Sequence, residues 1–164
     1  MRIAGTVQDS IVDGPGLRFV VFAQGCVHNC EGCHNPETHD ISGGEEKSVE
    51  EIIADMRKNP LTDGITLSGG EPFLQARDCA ALAIAAKSDG LNVWAYSGWT
   101  YEQLCGMAQG DADINALLRL IDVLVDGRFE EAKRSLGLRF RGSSNQRLID
   151  MNETRRTGAV AELS

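Results

Sequence analysis

The chain is short of aromatic side chains, which make up 5% of its 164 residues. That scarcity speaks against binding bases by stacking. Positive charge is also scarce: 16 Lys and Arg stand against 24 Asp and Glu, a net charge of −8. A protein that tracks phosphates along a nucleic acid carries the opposite sign, so no nucleic-acid partner is expected. No hydrophobic run approaches the roughly 18 residues of a membrane span. The opening Met1-Arg2-Ile3-Ala4-Gly5 lacks the apolar core and cleavage site of a secretory signal, so a cytoplasmic protein without a membrane partner is expected. The chain also lacks an even set of cysteines. Five in a reducing compartment point to metal binding or chemistry rather than to disulfides.

What is present suits one ordinary core. The chain is 42% hydrophobic and 24% charged, which excludes a coiled coil or a disordered tail. Its 18 glycines follow no collagen-like period and suggest close backbone approach to something small. Charge is unevenly distributed: residues 128–164 hold eight basic and five acidic groups, while the rest is strongly acidic. That end either faces an anionic ligand or partner or is simply a solvated face.

Strand and helix signals alternate. Leu17–Ala23 is a β-rich apolar run after the turn Asp13-Gly14-Pro15-Gly16. Ser48-Val49-Glu50-Glu51 forms a capping box, and Val49, Ile52, Ile53 and Met56 share one helical face. Strands are expected at 65–67, 91–96, 122–125 and about 138–141, with helices at about 74–88, from Thr100 onward, at about 113–120 and at about 129–135. The fold class is therefore α/β: an open or partial (β/α) barrel with a mostly parallel sheet of about five strands. Residues 1–151 are taken as this domain and 152–164 as a flexible C-terminal tail that orders when a partner binds. In such sheets ligands lie at the carboxyl ends of the strands. Here those ends hold the cysteines, Gly69-Gly70-Glu71-Pro72, Ser97-Gly98 and Asp126-Gly127.

Cys26-Val27-His28-Asn29-Cys30-Glu31-Gly32-Cys33 places three thiolates within eight residues on a loop leaving a core strand. Thiolates select iron-sulfur clusters or zinc over hard cations. A four-iron cluster on three cysteines leaves one iron open to substrate, whereas zinc would be completed by His28, His34 or His39. Cys79 and Cys105 fall within expected helices and are read as core residues, although either could supply a fourth thiolate. Gly69 and Gly70, straight after a strand, expose backbone to a ligand, and carbonyls there suit an ammonium group.

These residues carry a resemblance. Cys26, Cys30 and Cys33 with Gly69-Gly70-Glu71-Pro72 resemble the radical S-adenosylmethionine (SAM) superfamily. Asp13-Gly14-Pro15-Gly16-Leu17-Arg18 and Cys33-His34-Asn35-Pro36-Glu37-Thr38 are similar to its glycyl-radical-enzyme activating branch. Val125-Asp126-Gly127-Arg128-Phe129 and Phe140-Arg141-Gly142-Ser143-Ser144-Asn145-Gln146 are similar to the activating proteins of anaerobic ribonucleoside-triphosphate reductase, and the match runs from about Ile3 to Asp150.

The resemblance implies an oxidoreductase with a 4Fe-4S cluster on Cys26, Cys30 and Cys33, whose open iron chelates S-adenosyl-L-methionine. One electron, from a flavodoxin or ferredoxin-type donor, releases methionine and a 5′-deoxyadenosyl radical, which takes a hydrogen atom from a glycine of the reductase's glycyl radical subunit. It places Gly32, Cys33 and His34 along S-adenosylmethionine, Gly70 at its amino group, and Gly69, Glu71, Asp126 and Arg128 around it. Gly32 stands where many superfamily members carry an aromatic residue, so His34 or Trp99 would have to meet the adenine. Alternatives are the activase of another glycyl radical enzyme, of the formate-lyase type, and a non-catalytic cysteine-rich metal-binding module.

Overall fold

The computed structural model describes residues 1–33 and 35–163. In chain order the elements are β1 (Arg2–Ser10), β2 (Arg18–Ala23), β3 (Glu45–Glu46), α1 (Val49–Met56), β4 (Gly64–Gly69), α2 (Ala76–Ser88), β5 (Asn92–Tyr96), α3 (Tyr101–Ala108), α4 (Ala112–Leu120), β6 (Val123–Asp126), β7 (Arg147–Asp150) and α5 (Met151–Thr157). The strands form one open sheet in the order β3-β1-β2-β4-β5-β6-β7. β2, β4, β5 and β6 run parallel, with Val20 beside Thr66, Thr66 beside Trp94 and Trp94 beside Val123.

The fold is α/β with an open sheet, as expected, but it corrects the mostly parallel partial barrel of about five strands. The described sheet has seven strands and is mixed, because β1, β3 and β7 pair antiparallel at its two ends. β1 escapes a sequence reading because Gln8-Asp9-Ser10 is polar and its ladder is broken by register shifts. The expected helix at 129–135 shrinks to a 3-10 turn at Glu131–Lys133, and the expected strand at 138–141 does not form. Residues 131–137 are exposed and have no apolar face to bury, so the last strand begins only at Arg147.

One face of the sheet carries the main core. Phe19, Val21, Ile65, Leu67, Val93, Ala95, Leu124 and Ile149 pack against Ile52 and Met56 of α1, Leu82 and Ala83 of α2, Leu104 of α3 and Leu117 of α4. Each large apolar side chain buried this way is worth about 1.5–3 kcal/mol. Cys79 lies fully buried in this core, as its helical position suggests, and burial holds its thiol well above the ordinary range. The helices begin where side-chain caps supply acceptors: Ser48 Oγ accepts from the N–H of Glu51, and Thr100 and Gln103 cap each other's backbone reciprocally.

The opposite face is filled by Trp94, Val123, Val125 and Leu148, with Tyr96 and Phe140 against them. Arg18 lies wholly buried beside this group, 5.6 Å from the centre of the Trp94 ring. Its guanidinium donates to Thr66 Oγ1 (2.7 Å), Ile65 O (2.8 Å) and Pro15 O (3.0 Å), and burial pushes its pKa down to about 10. The Asp13–Arg18 motif is thus a loop pinned onto the sheet by its own arginine.

Residues 152–163, read from the sequence as a tail, continue α5 and then return along β7. Asp150 N–H donates to Ala161 O (2.8 Å), and Leu163 N–H donates to Leu148 O (2.7 Å). Among the described residues no helix is long and apolar enough to cross a membrane.

Candidate metal centre

The carboxyl ends of the four parallel strands meet at one rim. β2 runs into the cysteine loop, β4 into Gly70-Glu71-Pro72, β5 into Ser97-Gly98-Trp99 and β6 into Gly127. Together with Leu138, Phe140 and Arg141 from the long segment before β7, they enclose a cleft of about 670 Å³. Cys26, Cys30, Cys33, Gly69 and Gly70 all line it.

The base of the cysteine loop is stitched by main-chain bonds. Gly25 N–H donates to Thr38 O (2.6 Å), Cys26 N–H to His39 O (3.1 Å) and Glu71 N–H to Gly25 O (2.7 Å). Buried Gln24 adds two side-chain bonds, to Asp40 O (2.7 Å) and Glu37 O (3.0 Å). Gly70 owes its identity to this stitching. A Cβ there would lie 2.2 Å from Gly25 O and 2.8 Å from Thr38 O, both backbone atoms. Its N–H is spent on Ala23 O (2.8 Å) rather than left for a ligand.

The three thiols are half-buried, and backbone N–H groups surround their sulfurs. Burial pushes Cys26 and Cys30 above the ordinary thiol range. The N–H groups of His28 and Asn29 pull Cys26 the other way, and the Phe129 N–H and the Arg128 charge do so for Cys30. Asn35 N–H donates to Cys33 Sγ at 3.4 Å. Donors aimed at the sulfurs are what a thiolate-bound cluster requires of its surroundings, and they tune its potential. Among the described residues no three His, Cys, Asp or Glu groups already converge on one point. Thiols lose their protons when they bind a metal.

Glu71 occupies the centre of the rim, fully buried. Its Oε1 lies 2.6 Å from His28 Nε2 and accepts from Gly98 N–H (2.8 Å) and Ser97 Oγ (2.9 Å), while Oε2 accepts from Phe73 N–H (3.0 Å). The carboxylate is thus saturated by protein donors. His28, weighed above as a zinc ligand, has its Nε2 engaged here. His34, expected along S-adenosylmethionine or as a zinc ligand, lies outside the described residues.

A 4Fe-4S single cluster domain model matches residues 12–149. A Vibrio cholerae protein is 38% identical over 144 residues, 83% of this chain and 89% of its own length. A Salmonella typhi protein is 37% identical over 83% of this chain and 90% of its own, and a Pasteurella multocida protein 34% identical over 83% and 89%. All three are named anaerobic ribonucleoside-triphosphate reductase-activating protein. The chain belongs to this activating-protein family. The chain accordingly carries an iron-sulfur cluster domain, and the three-cysteine loop has the donor chemistry to hold a cluster.

In this member of the activating-protein family two expected contacts are otherwise engaged. The carboxylate of Asp126, 1% exposed, accepts from Arg147 Nη2 (2.5 Å), Arg147 Nε (3.0 Å) and Tyr101 N–H (2.7 Å). Arg147 also bonds Glu102, and these pairs, Asp126 first, hold its pKa far above the usual arginine range. Asp126 therefore fastens α3 and β7 to the end of β6. Arg128 is exposed and lines a second recess of about 580 Å³, which shares His28, Cys30, Gly98, Gly127 and Phe129 with the main cleft. At Gly32 the φ of +72° disfavours any larger residue, and a Cβ there would meet the exposed Glu131 carboxyl at 2.9 Å and push it aside. Trp99 packs edge-on against His28, with ring centres 4.7 Å apart. His28 and Arg147 are the two residues that sequence reasoning passed over in these roles. The single legible signal was the position of His28 between two cysteines.

Proposed function

We propose that this chain is the activating enzyme of an anaerobic ribonucleoside-triphosphate reductase, using S-adenosylmethionine to install a glycyl radical on that partner. The observation that carries the reading is the meeting, at one cleft, of a three-cysteine loop and a glycine edge. When bound, the cluster and S-adenosylmethionine supply one-electron cleavage of a sulfonium bond and a carbon-centred radical able to remove a hydrogen atom from glycine.

The chain's own residues bind, orient and shield. Cys26, Cys30 and Cys33 hold the cluster as thiolates, leaving a coordination position free of protein ligands. Gly32 and Cys33 line the path of S-adenosylmethionine, and Gly69 and Gly70 meet its methionine end. Glu71 keeps that edge in place by its bonds to two other loops, through His28 and through Ser97 and Gly98. Asp126, through Arg147 and α3, and Arg128, beside Cys30, support the wall opposite. Tyr96 donates to Phe140 O (2.5 Å) and closes the floor of the cleft against water. A cytoplasmic location and a flavodoxin or ferredoxin-type electron donor complete the reading.

The test is anaerobic. The protein is reconstituted with iron and sulfide, reduced with dithionite and examined by electron paramagnetic resonance before and after S-adenosylmethionine is added. The expected result is a four-iron signal that changes on addition, 5′-deoxyadenosine as product, and a glycyl radical when the reductase is present. A protein that takes up zinc instead, or a cluster indifferent to S-adenosylmethionine, overturns the reading.

A further inference from the structure

His28 lies between two cysteines on a surface loop, yet its side chain is only 2% exposed. Its neighbours Val27 and Asn29 face solvent. The ring reaches inward to Glu71, and the rim is shaped to receive it: at Gly98 a Cβ would stand 2.3–2.6 Å from the imidazole. Trp99 closes its other side. Within residues 27–33 the described main-chain N–H groups turn onto the loop itself, Cys33 onto Cys30 O at 3.2 Å and His28 and Asn29 onto the Cys26 sulfur. Besides the Phe129 N–H against Cys30, the described hydrogen bond tying this segment to another element is His28 to Glu71. With Nε2 on the carboxylate, Nδ1 is left buried without a protein partner. The bond to Glu71 therefore orients the ring, and it ties the loop directly to the rim beside Gly70.

We propose that His28 is a positioning residue that latches the cysteine loop to Glu71, and thereby fixes the cluster ligands relative to the Gly69-Gly70 edge. This rests on the function proposed above, and it adds the group that couples the metal-holding loop to the edge that meets the sulfonium substrate. Glu71 is suited to the task because the same oxygen that meets His28 also accepts from Ser97 and Gly98, so three strand ends share one carboxylate. Buried partners of this kind, one step from the metal ligands, typically alter affinity or activity roughly 10- to 100-fold when removed.

The experiment compares His28→Leu, which keeps the bulk against Trp99 and Gly98, with His28→Gln, whose amide can still donate to Glu71. Both are reconstituted anaerobically. Iron and sulfide are counted, and the change in the reduced cluster's paramagnetic resonance is titrated with S-adenosylmethionine. His28→Leu should retain its iron yet need roughly 10- to 100-fold more S-adenosylmethionine for the half-maximal change. His28→Gln should recover most of that loss. A His28→Leu protein that titrates like wild type overturns the proposal, because the ring then only fills space. Equal loss of iron from both variants also overturns it, because the ring is then needed to fold the loop rather than to bond Glu71. A wild-type cluster that ignores S-adenosylmethionine would instead refute the function itself, and that measurement precedes the variants.

Discussion

Replacing Gly70 by alanine should empty the metal site rather than merely weaken a ligand contact. The added Cβ would sit 2.2 Å from Gly25 O, against an ordinary contact of 3.4 Å or more, so the chain at Gly25 must retreat by about 1.2 Å. No rotamer relieves this, because the opposing atoms are backbone. The retreat strains Glu71 N–H to Gly25 O (2.7 Å), Gly25 N–H to Thr38 O (2.6 Å) and Cys26 N–H to His39 O (3.1 Å). At about 1 kcal/mol for each of the three weakened bonds, with about 1–3 kcal/mol of overpacking strain, the loop loses about 4–6 kcal/mol. That is enough to open the cysteine loop while the helix-side core persists. Gly106 is the control: it lies within α3, and a Cβ there meets nothing within 4 Å, so Gly106→Ala should stabilise by about 0.5–1 kcal/mol. The assay is iron and sulfide content after anaerobic reconstitution, with thermal melting of the cluster-free protein alongside. A Gly70→Ala protein with full iron and an unshifted melting temperature would refute the reasoning and return Gly70 to the role of a simple ligand contact.

Alanine at any one of Cys26, Cys30 or Cys33 should abolish cluster binding and glycyl radical formation, whereas Cys79→Ala should keep both and lower stability by about 1–2 kcal/mol through its cavity; iron analysis and melting separate the cases. Asp122, at the end of the sheet away from the cleft, accepts from Val93 N–H (2.8 Å), Lys87 Nζ (2.9 Å) and Asn152 Nδ2 (3.0 Å). Burial opposes its charge, but these donors prevail and hold its pKa below the ordinary carboxylate value. Its contribution is therefore present above about pH 4, the unfolded value, and is lost as pH falls through the lower folded one. Asp122→Asn should cost about 1–3 kcal/mol at pH 7, with the gap to wild type narrowing below about pH 4 in denaturant titrations; a gap constant down to pH 2 would refute the assignment. Arg155 donates to Leu118 O (3.1 Å) and Ile121 O (3.0 Å) at the end of α4, while Arg156 pairs with Glu153 on the surface. Arg155→Ala should lower the melting temperature and Arg156→Ala should not; equal effects would deny Arg155 its capping role.

The legible features were local. The Ser48 and Thr100 caps, the apolar face of α1 and the strands ending at the cysteines and at Gly69 all follow from neighbours within one turn or one strand. The antiparallel outer strands were not legible. β1 and β7 alternate too weakly to stand out, and they become strands because β2 and β6 offer unpaired backbone beside them. The segment before β7 misled for the complementary reason: Leu138 and Phe140 look like strand residues, but Phe140 turns through a positive φ to pack on Trp94.

The sequence by itself determined which residues stand as candidate donors and which strands run into them, because three thiols within eight residues and a glycine pair after an apolar run need no distant partner to be recognised. Only the tertiary structure decided what the polar residues of the rim do. Glu71 and His28 are 43 residues apart and Asp126 and Arg147 are 21 apart. A buried carboxylate takes its role from whichever donors the fold delivers to it, since an unpaired charge out of water is too costly to persist. The fold delivered a loop histidine to one carboxylate and an arginine to the other, and so tied both into the rim.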